Sequence, residues 1–315
     1  MFSLLLDIKF FFERCTESRP KDERTLISKI FYNGGKCFAT YATYFYLKIL
    51  RKLRLLTISQ LDDSEDLPIV SITSFPARLE NVWMVLYSVY KQSYLPGKVI
   101  VVLARDEFVN REQSLPDSLT NFLDKGVEIL WSDINLRPHN KYVFTKIKYP
   151  DRKIITLDDD LIYHYTTIER LLALNQEFPD CICSNRIQKI EYTHMGFTPS
   201  NAWSQVFEGK KPSHLWLALG YSGILYPPSF FSKDLFDFSK ISKLSLMADD
   251  MWLKVQELLS NYMVVSGDYY AHPMTIPNSQ KIALQKANDA TESRNDKYLQ
   301  MLYNHYKDQL QQILK

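Results

Sequence analysis

Two residue types are scarce in this sequence, and two familiar nucleotide-binding motifs are missing. Only 4 cysteines and 9 glycines occur among its 315 residues. So few cysteines indicate a reducing compartment without a disulfide framework. Cys181 and Cys183 have no second pair nearby, which a zinc site would need, so we interpret them as buried strand residues. No G-x-G-x-x-G follows the first predicted strand and no G-x-x-x-x-G-K-[ST] occurs, which argues against a classical dinucleotide-binding fold and a P-loop enzyme.

Charge and long hydrophobic runs are also in short supply. The formal net charge of +2 provides no general case for binding nucleic acid. The apolar residues 1–12 are interrupted by Asp7 and Lys9, and no small-residue cleavage site follows, so we expect no secretory signal. The uncharged residues 37–47 are far fewer than the about 20 that span a bilayer. We therefore expect a cytoplasmic protein, which would be peripheral on the inner face of the cell membrane if its first segment binds lipid.

Residues 1–66 form that first segment, and two interpretations of it stay open. Residues 37–47 are rich in Tyr, Phe and Ala, and a basic cluster follows them directly. An aromatic stretch beside positive charge is typical of a helix lying on an anionic membrane surface. The same pattern also suits a helix that packs on the main domain and keeps a solvated basic face. The basic residues are Lys48, Arg51, Lys52 and Arg54.

Residues 67–275 predict a single α/β domain with a mostly parallel sheet flanked by helices. Short apolar runs alternate with segments of helical period, and the connections between them are short. After residue 275 the composition becomes polar, and residues 276–315 read as a helical tail with helices at 279–288 and 296–314. The predicted strands are 68–74, 98–103, 127–131 and 154–157, and the predicted helices between them are 80–92, 115–123 and 142–148.

Three consecutive carboxylates, Asp158, Asp159 and Asp160, follow the fourth predicted strand. They could be a solvated turn, since Asp is common in turns. However, three adjacent negative charges at the end of a buried strand need positive charge nearby, and a divalent cation with oxygen ligands is a simple source. Asp158 and Asp160 point to the same side of an extended chain, so they can share one metal.

A second carboxylate pair, Asp249 and Asp250, precedes residues of helical spacing. Asp is favoured at a helix N-terminus by capping and by the helix dipole, which explains one carboxylate better than two. A carboxylate beside a reacting hydroxyl can also act as a general base. The pair is therefore a candidate catalytic site.

The ordered motifs resemble those of GT-A glycosyltransferases, in particular the bacterial enzymes that build capsule and lipopolysaccharide. The resemblance covers residues 67–275, about two-thirds of the chain. It implies a sheet whose first strands carry the nucleotide of a sugar donor, and a D-x-D motif whose metal bridges the diphosphate. The motifs are the Thr-Ser-x-Pro-x-Arg turn at 73–78, the Asp triplet at 158–160, and the segments 137–142, 220–228 and 248–253.

The resemblance also implies a role for each candidate residue. Asp250 would be the base of an inverting transfer, and Asp249 would orient the acceptor. Mn²⁺ or Mg²⁺ would be held by Asp158, Asp160 and His272, although His272 could instead contact the diphosphate. The donor, expected to be a UDP-sugar, would meet Ser71, Thr73, Ser74, Arg78, Asp106, Lys141, Asp158 and Asp159. The acceptor sugar would meet Tyr221, Ser222, Gly223 and Trp252.

We therefore expect a hexosyltransferase acting on a glycan or lipid-linked glycan, with no nucleic acid partner, which would contact an anionic membrane if its first segment binds lipid. Two other hypotheses remain. A nucleotidyltransferase or another metal-dependent phosphoryl-transfer enzyme could use the same acidic cluster, but would normally show a Gly-rich phosphate loop near the first strand. A non-catalytic glycan-binding or membrane-binding protein would not need both carboxylate clusters intact.

Overall fold

The structure is a computed structural model that describes residues 1–17, 26–193, 195–206, 209–268, 270, 272–279 and 294–314, with the side chains of 15–17, 26–29 and 31 excepted. Its helices are α1 (Phe2–Glu17), α2 (Leu26–Lys52), α3 (Pro76–Leu79), α4 (Val82–Val89), α5 (Asp117–Thr120), α6 (Asn140–Lys148), α7 (Thr167–Glu177), α8 (Phe238–Leu244), α9 (Asp249–Leu259), α10 (Arg294–His305) and α11 (Lys307–Ile313). Its strands are β1 (Ile69–Thr73), β2 (Lys98–Ala104), β3 (Val127–Ser132), β4 (Ile154–Thr156), β5 (Leu161–Ile162), β6 (Ile182–Ser184), β7 (Ile187–Lys189), β8 (Tyr192–Thr193), β9 (Gly196–Phe197), β10 (Ser204–Val206), β11 (Trp216–Ala218), β12 (Ile224–Tyr226), β13 (Val264–Ser266) and β14 (Met274–Thr275).

A central sheet of seven strands organises the described residues, in the order β13-β6-β12-β4-β1-β2-β3. The pairs β4-β1, β1-β2, β2-β3 and β6-β13 are parallel. Strand β12 runs antiparallel to both of its neighbours, β4 and β6. The predicted α/β fold with a mostly parallel sheet is therefore confirmed.

Both faces of the sheet centre are covered, which explains why its strands are apolar without alternation. Successive strand residues point to opposite faces. Val70 and Ile72 of β1 therefore pack with α4 in one core cluster, whereas Ile69 packs in another with Phe144 of α6. All eight residues of α4 are buried. The carboxyl ends of β1 and β4 thus emerge together from a rigid layered core.

The N-terminal helices α1 and α2 pack against each other and on the main domain. Phe2 meets the ring of Tyr87 edge-on at 5.4 Å between centroids. The guanidinium of Arg51 lies 5.2 Å from the centroid of the Trp83 ring. The segment therefore packs on the main domain, and its contact with a membrane stays a prediction. No described helix is both long enough and apolar enough to cross a membrane.

Several predicted elements change length. The four predicted strands correspond to β1 to β4, and residues 142–148 lie within α6. The predicted helix 80–92 shortens to α4, with the short helix α3 just before it, and the predicted helix 115–123 shortens to α5 and a 3₁₀ turn at Leu123–Lys125. The tail helix 296–314 is divided between α10 and α11. The predicted helix 279–288 lies, except for residue 279, outside the described residues.

Candidate active site

The described residues enclose a cavity of about 810 Å³ beyond the carboxyl ends of β1 and β4. Its walls include the turn after β1, the Asp triplet after β4, the N-terminus of α9 and the segment that leads into β14. Residues 158–160 and 249–250 both line it, so the tertiary structure brings the two carboxylate clusters together. This is the edge at which open α/β sheets bind ligands.

Arg78 holds the Asp triplet at the wall formed by the turn after β1. One guanidinium nitrogen lies 2.6 Å from Asp159 Oδ1, and another lies 3.1 Å from Asp160 Oδ2. Ser74 Oγ donates a hydrogen bond of 2.6 Å to Asp159 Oδ2. Arg78 stands on the short helix α3, which begins with a proline suited to the first helical position. The local turn chemistry therefore positions the counter-charge of the triplet.

Lys141 joins the two carboxylate clusters. Its Nζ lies 2.8 Å from Asp158 Oδ1 and 3.0 Å from Asp249 Oδ2. Burial by itself lowers the pKa of this lysine, but the facing carboxylates of Asp158, Asp249 and Asp250 raise it well above its ordinary value. Lys141 is therefore charged at neutral pH, and contacts with phosphate by Lys141 and Arg78 stay predictions.

The two carboxyls of the second cluster differ in acidity. Burial and the neighbouring charge of Asp249 raise the pKa of Asp250 to about 8. Burial pushes the pKa of Asp249 upward too, but Lys141 and His139 overcome that effect and hold the pKa below its ordinary value. At neutral pH the pair therefore carries one proton, which resides mainly on Asp250. A carboxyl with a pKa near the working pH is suited to proton transfer.

Gly220 is placed against Asp250 rather than in open space. Its N–H donates a hydrogen bond of 3.3 Å to Asp250 Oδ2. A Cβ atom at this position would lie 2.7 Å from Asp250 Oδ1. The absence of a side chain is therefore what permits the close approach of this backbone to the carboxylate.

His272 lines the cavity together with Tyr221, and their rings stack at 5.3 Å between centroids. Burial, followed by the charges of Arg186, Lys9 and Lys36, lowers the pKa of His272 to about 2. The imidazole is therefore neutral at physiological pH. Strand β14 pairs antiparallel with β5, which brings the segment after His272 alongside the Asp triplet.

The residues present fit a metal only in part. Among the described residues, no group of three or more His, Cys, Asp or Glu side chains is arranged to hold an ion, so Asp158, Asp160 and His272 do not form a ligand trio. Burial raises the pKa of Asp160 to about 7, and Asp158 adds to the shift although Arg78 opposes it. Positive charge placed close to Asp160 would favour the ionised form of its carboxyl. Two carboxylates suit Mg²⁺, which takes its remaining ligands from water and substrate phosphates.

Two of the residues predicted to contact the donor do not line the cavity. Ser71 is fully buried, and its Oγ donates to the backbone carbonyl of Lys141 instead of facing the cavity. Asp106 accepts a hydrogen bond of 3.3 Å from Asn135 Nδ2. The cavity is lined by Asn135 and by Glu107 beside Asp106, while Thr73 and Ser74 line it as expected.

Three of the four predicted acceptor contacts belong to the core. Ser222 is fully buried; its Oγ donates to Leu219 O and accepts from the Arg186 N–H. Gly223 has φ of +89°, a conformation that suits glycine at the turn before β12. Trp252 is fully buried and packs among apolar residues. Only Tyr221 of this set lines the cavity, because the turn directs its neighbours inward.

Sequence reasoning missed further lining residues. Tyr32 and Lys36 of α2 line the cavity, although they are remote in sequence from its other walls. Arg137 also lines it, within a segment that the resemblance had marked, and its guanidinium lies 2.6 Å from Glu107 Oε1. Neither Tyr32 nor Lys36 stands in a local pattern that could have found it, since only the packing of α2 brings it to the site.

No family model matches the chain, and no curated protein matches it. Among solved structures, it is similar to the TarS fragment 1–349 of S. aureus in complex with UDP-GlcNAc, with 14% identity, 64% of this chain and 57% of that chain covered, and a TM-score of 0.41. It is also similar to the mannosyltransferase PcManGT of Pyrobaculum calidifontis in complex with GDP-Man and Mn²⁺, with 12% identity, coverage of 74% and 66%, and a TM-score of 0.40. Each match spans less than two thirds of the other protein's chain. At this level of similarity, nothing about activity passes from those proteins to this chain.

Proposed function

We propose that the chain is a metal-dependent GT-A glycosyltransferase that moves a sugar, expected to be a hexose, from a nucleotide diphosphate donor to a hydroxyl of a glycan acceptor. The observation that carries the proposal is the meeting of two carboxylate clusters in one cavity, joined by Lys141. Five carboxylates, at residues 158–160 and 249–250, face the two cations Arg78 and Lys141. This excess of negative charge suits a site that receives a cation and activates a hydroxyl.

On the donor side, Asp158 and Asp160 would hold Mn²⁺ or Mg²⁺. The bound ion would supply positive charge for the leaving diphosphate. Thr73 and Ser74 at the end of β1 would face the nucleotide, which we expect to be uridine. Arg78 holds Asp159 and Asp160 in place by its planar fork, so the geometry of the triplet exists before a donor binds.

On the acceptor side, Asp250 would be the base of an inverting transfer. Its carboxylate would take the proton of the acceptor hydroxyl while the hydroxyl oxygen forms a bond to the anomeric carbon. The bond from that carbon to the diphosphate oxygen would break, and the nucleoside diphosphate would leave. Asp249, kept ionised by Lys141, raises the basicity of Asp250. Tyr221 is the remaining candidate for contact with the acceptor sugar.

A screen of nucleotide sugars, with and without manganese, tests this proposal. The proposed enzyme releases a nucleoside diphosphate from one donor, faster in manganese, and labels a glycan acceptor with the sugar. Release of a sugar 1-phosphate instead, with transfer of the nucleoside monophosphate, would identify a nucleotidyltransferase. Binding of glycan without any turnover would identify a non-catalytic binding protein. Either of these outcomes would overturn the proposal.

We also propose that the outer face of α2 contacts an anionic membrane. The side chains at 38, 41, 45 and 49 repeat at helical spacing and are each about half exposed or more, from 49% for Tyr41 to 65% for Phe38. Lys48 and Lys52 lie beside this stripe, and α2 contains no Asp or Glu. Such a face combines apolar insertion with attraction to acidic lipid headgroups.

Phe38→Ser and Phe45→Ser test the membrane contact. Each should weaken binding to phosphatidylserine vesicles by about tenfold, because each removes an inserting ring, while turnover on a soluble acceptor stays unchanged. Phe231→Ser is the matched control, since Phe231 is 60% exposed outside the helical pair. Equal vesicle binding by all three variants would refute the contact.

A further inference from the structure

Helix α2 reaches the cavity with a side of its surface that the exposed stripe does not use. Tyr32 and Lys36 both line the cavity, and Lys36 Nζ lies 5.7 Å from the centroid of the Tyr32 ring. The lysine side chain is 41% exposed. The cavity therefore has a cationic group that comes from outside the sheet and its covering helices.

A buried lysine connects α1 to the wall of the cavity. Lys9 and Glu13 of α1 are almost fully buried, and Lys9 Nζ lies 2.6 Å from Glu13 Oε1. Lys9 also donates a hydrogen bond to the backbone carbonyl of His272. Helix α1 is thus tied to the segment that carries His272 into the cavity, and α2 is packed on α1. The helical pair is held as part of the site.

Lys36 is the least neutralised of the cationic side chains of Lys or Arg that line the cavity within the described residues. Arg78, Arg137 and Lys141 each have a carboxylate oxygen within 2.8 Å. Lys36 Nζ lies 3.8 Å from Glu13 Oε1, and that same oxygen is closer to Lys9. Attraction between charges falls with distance. Because Glu13 neutralises Lys36 only in part, the positive charge of Lys36 can still attract a ligand.

His272 lies near several positive charges, which Glu13 neutralises in part. Three cations, Lys9, Lys36 and Arg186, depress the pKa of His272 after burial itself. A neutral imidazole and a lysine can both donate hydrogen bonds to an anion. The charge around Lys36 and His272 differs in sign from that of the carboxylates at 158–160 and 249–250. The cavity therefore has one negative region and one region with positive charge.

We propose that the N-terminal helical pair completes the substrate site and that Lys36 binds a phosphate group of the substrate. The phosphate belongs either to the donor diphosphate or to a phosphorylated acceptor. The proposal rests on the proposed function, which supplies a substrate that carries phosphate. Lysine suits this role as a point charge on a flexible stem.

Calorimetric titration of the full chain with UDP and Mg²⁺ tests the role of Lys36. If Lys36 meets the donor diphosphate, Lys36→Met should weaken UDP binding by about tenfold or more, because a charge-assisted hydrogen bond is lost. If it meets an acceptor phosphate, UDP binding should be unchanged, and binding of inorganic pyrophosphate to the UDP-saturated protein should fall instead. Lys36→Arg keeps the charge and should restore either affinity to within about threefold.

Lys243→Met is the matched control, since Lys243 is an exposed lysine of α8 that does not line the cavity. Thermal unfolding of each variant separates a structural effect from a loss of binding. A structural effect lowers the melting temperature without changing the affinity of the folded protein. Unchanged affinity for both UDP and pyrophosphate in folded Lys36→Met would overturn the proposal. Absence of binding of every nucleoside diphosphate by the unaltered protein would overturn the proposed function itself, and this role with it.

Discussion

The two carboxylate clusters of the cavity contain the same chemical group in different surroundings. Asp159 and Asp160 share the guanidinium of Arg78, at 2.6 and 3.1 Å. Asp249 faces Lys141, whereas Asp250 accepts a hydrogen bond of 3.3 Å from a backbone N–H. The first cluster is thus held by its own counter-charge, although the pKa of Asp160 is still raised to about 7, whereas in the second cluster the pKa of Asp249 is lowered and that of Asp250 is raised to about 8. In the proposed function, position relative to the two cations, more than residue type, separates the metal-binding role of the first cluster from the basic role of the second.

Removal of a carboxylate from the first cluster should have the largest effect. Asp158→Ala or Asp160→Ala should lower transfer by about 10³-fold or more and weaken UDP binding in manganese, because the site for the cation is lost. Turnover and UDP affinity, measured with and without EDTA, check this prediction. The fold should remain intact by circular dichroism. Full activity of the unaltered protein in EDTA would contradict metal binding by the first cluster, and with it the proposed difference between the two clusters.

Asp250→Asn should have the next largest effect. The amide keeps the shape of the side chain but cannot accept a proton, so turnover should fall by about 10²-fold or more while UDP affinity stays nearly unchanged. If the pair only caps α9, Asn should replace Asp with little loss, and stability should change by less than about 1 kcal/mol.

Asp249→Asn is the matched control for that substitution. Near-normal turnover in Asp250→Asn together with a large loss in Asp249→Asn would move the base to Asp249. Loss of UDP binding in Asp250→Asn would place this residue on the donor side and would break the division between the clusters.

Gly220→Ala should disturb the second cluster without touching the first. A Cβ at this position would lie 2.7 Å from Asp250 Oδ1, so the carboxylate or the backbone must move. We expect turnover to fall by about tenfold, since a displacement of less than 1 Å at a reacting group is costly. UDP affinity in manganese should be unchanged. A parallel loss of UDP affinity would indicate that the two clusters move as one unit.

The pH dependence of turnover should show the smallest effect and identify the titrating group. The pKa of Asp250 is raised to about 8, so its basic form is depleted as the pH falls below that value. Turnover should drop about fivefold from pH 8 to pH 7. The folded state binds this proton more tightly than the unfolded chain, so the contribution of Asp250 to stability decreases as the pH rises from about 4 to about 8.

Residual activity of Asp250→Asn provides the control for the pH profile, since it should lose this dependence. The stability of the same variant should also lose the decrease between those pH values, measured by chemical unfolding. An unchanged profile in the variant would assign the titration to another group.

Much of the fold and part of the site could be predicted from local pattern. The apolar runs at 98–103 and 154–157 predict buried strands, and β2 and β4 lie there. The Asp triplet follows β4 directly, so its place at the strand end could be inferred from spacing alone. The resemblance predicts that Gly223 contacts the acceptor, whereas its positive φ serves the turn of the backbone before β12. A chain bend and a ligand contact both favour glycine, and local sequence does not distinguish them.

The sequence by itself determined which segments become strands and helices around residues 67–275, and where carboxylates follow them, because these properties depend on near neighbours along the chain. Only the tertiary structure decided that Lys141 links Asp158 to Asp249, that Trp252 is core, and that Lys36 lines the cavity. Such relations join residues far apart in sequence, and they depend on how whole helices pack on the sheet. The same holds for the raised pKa of Asp250, which arises from burial and from charges on other elements.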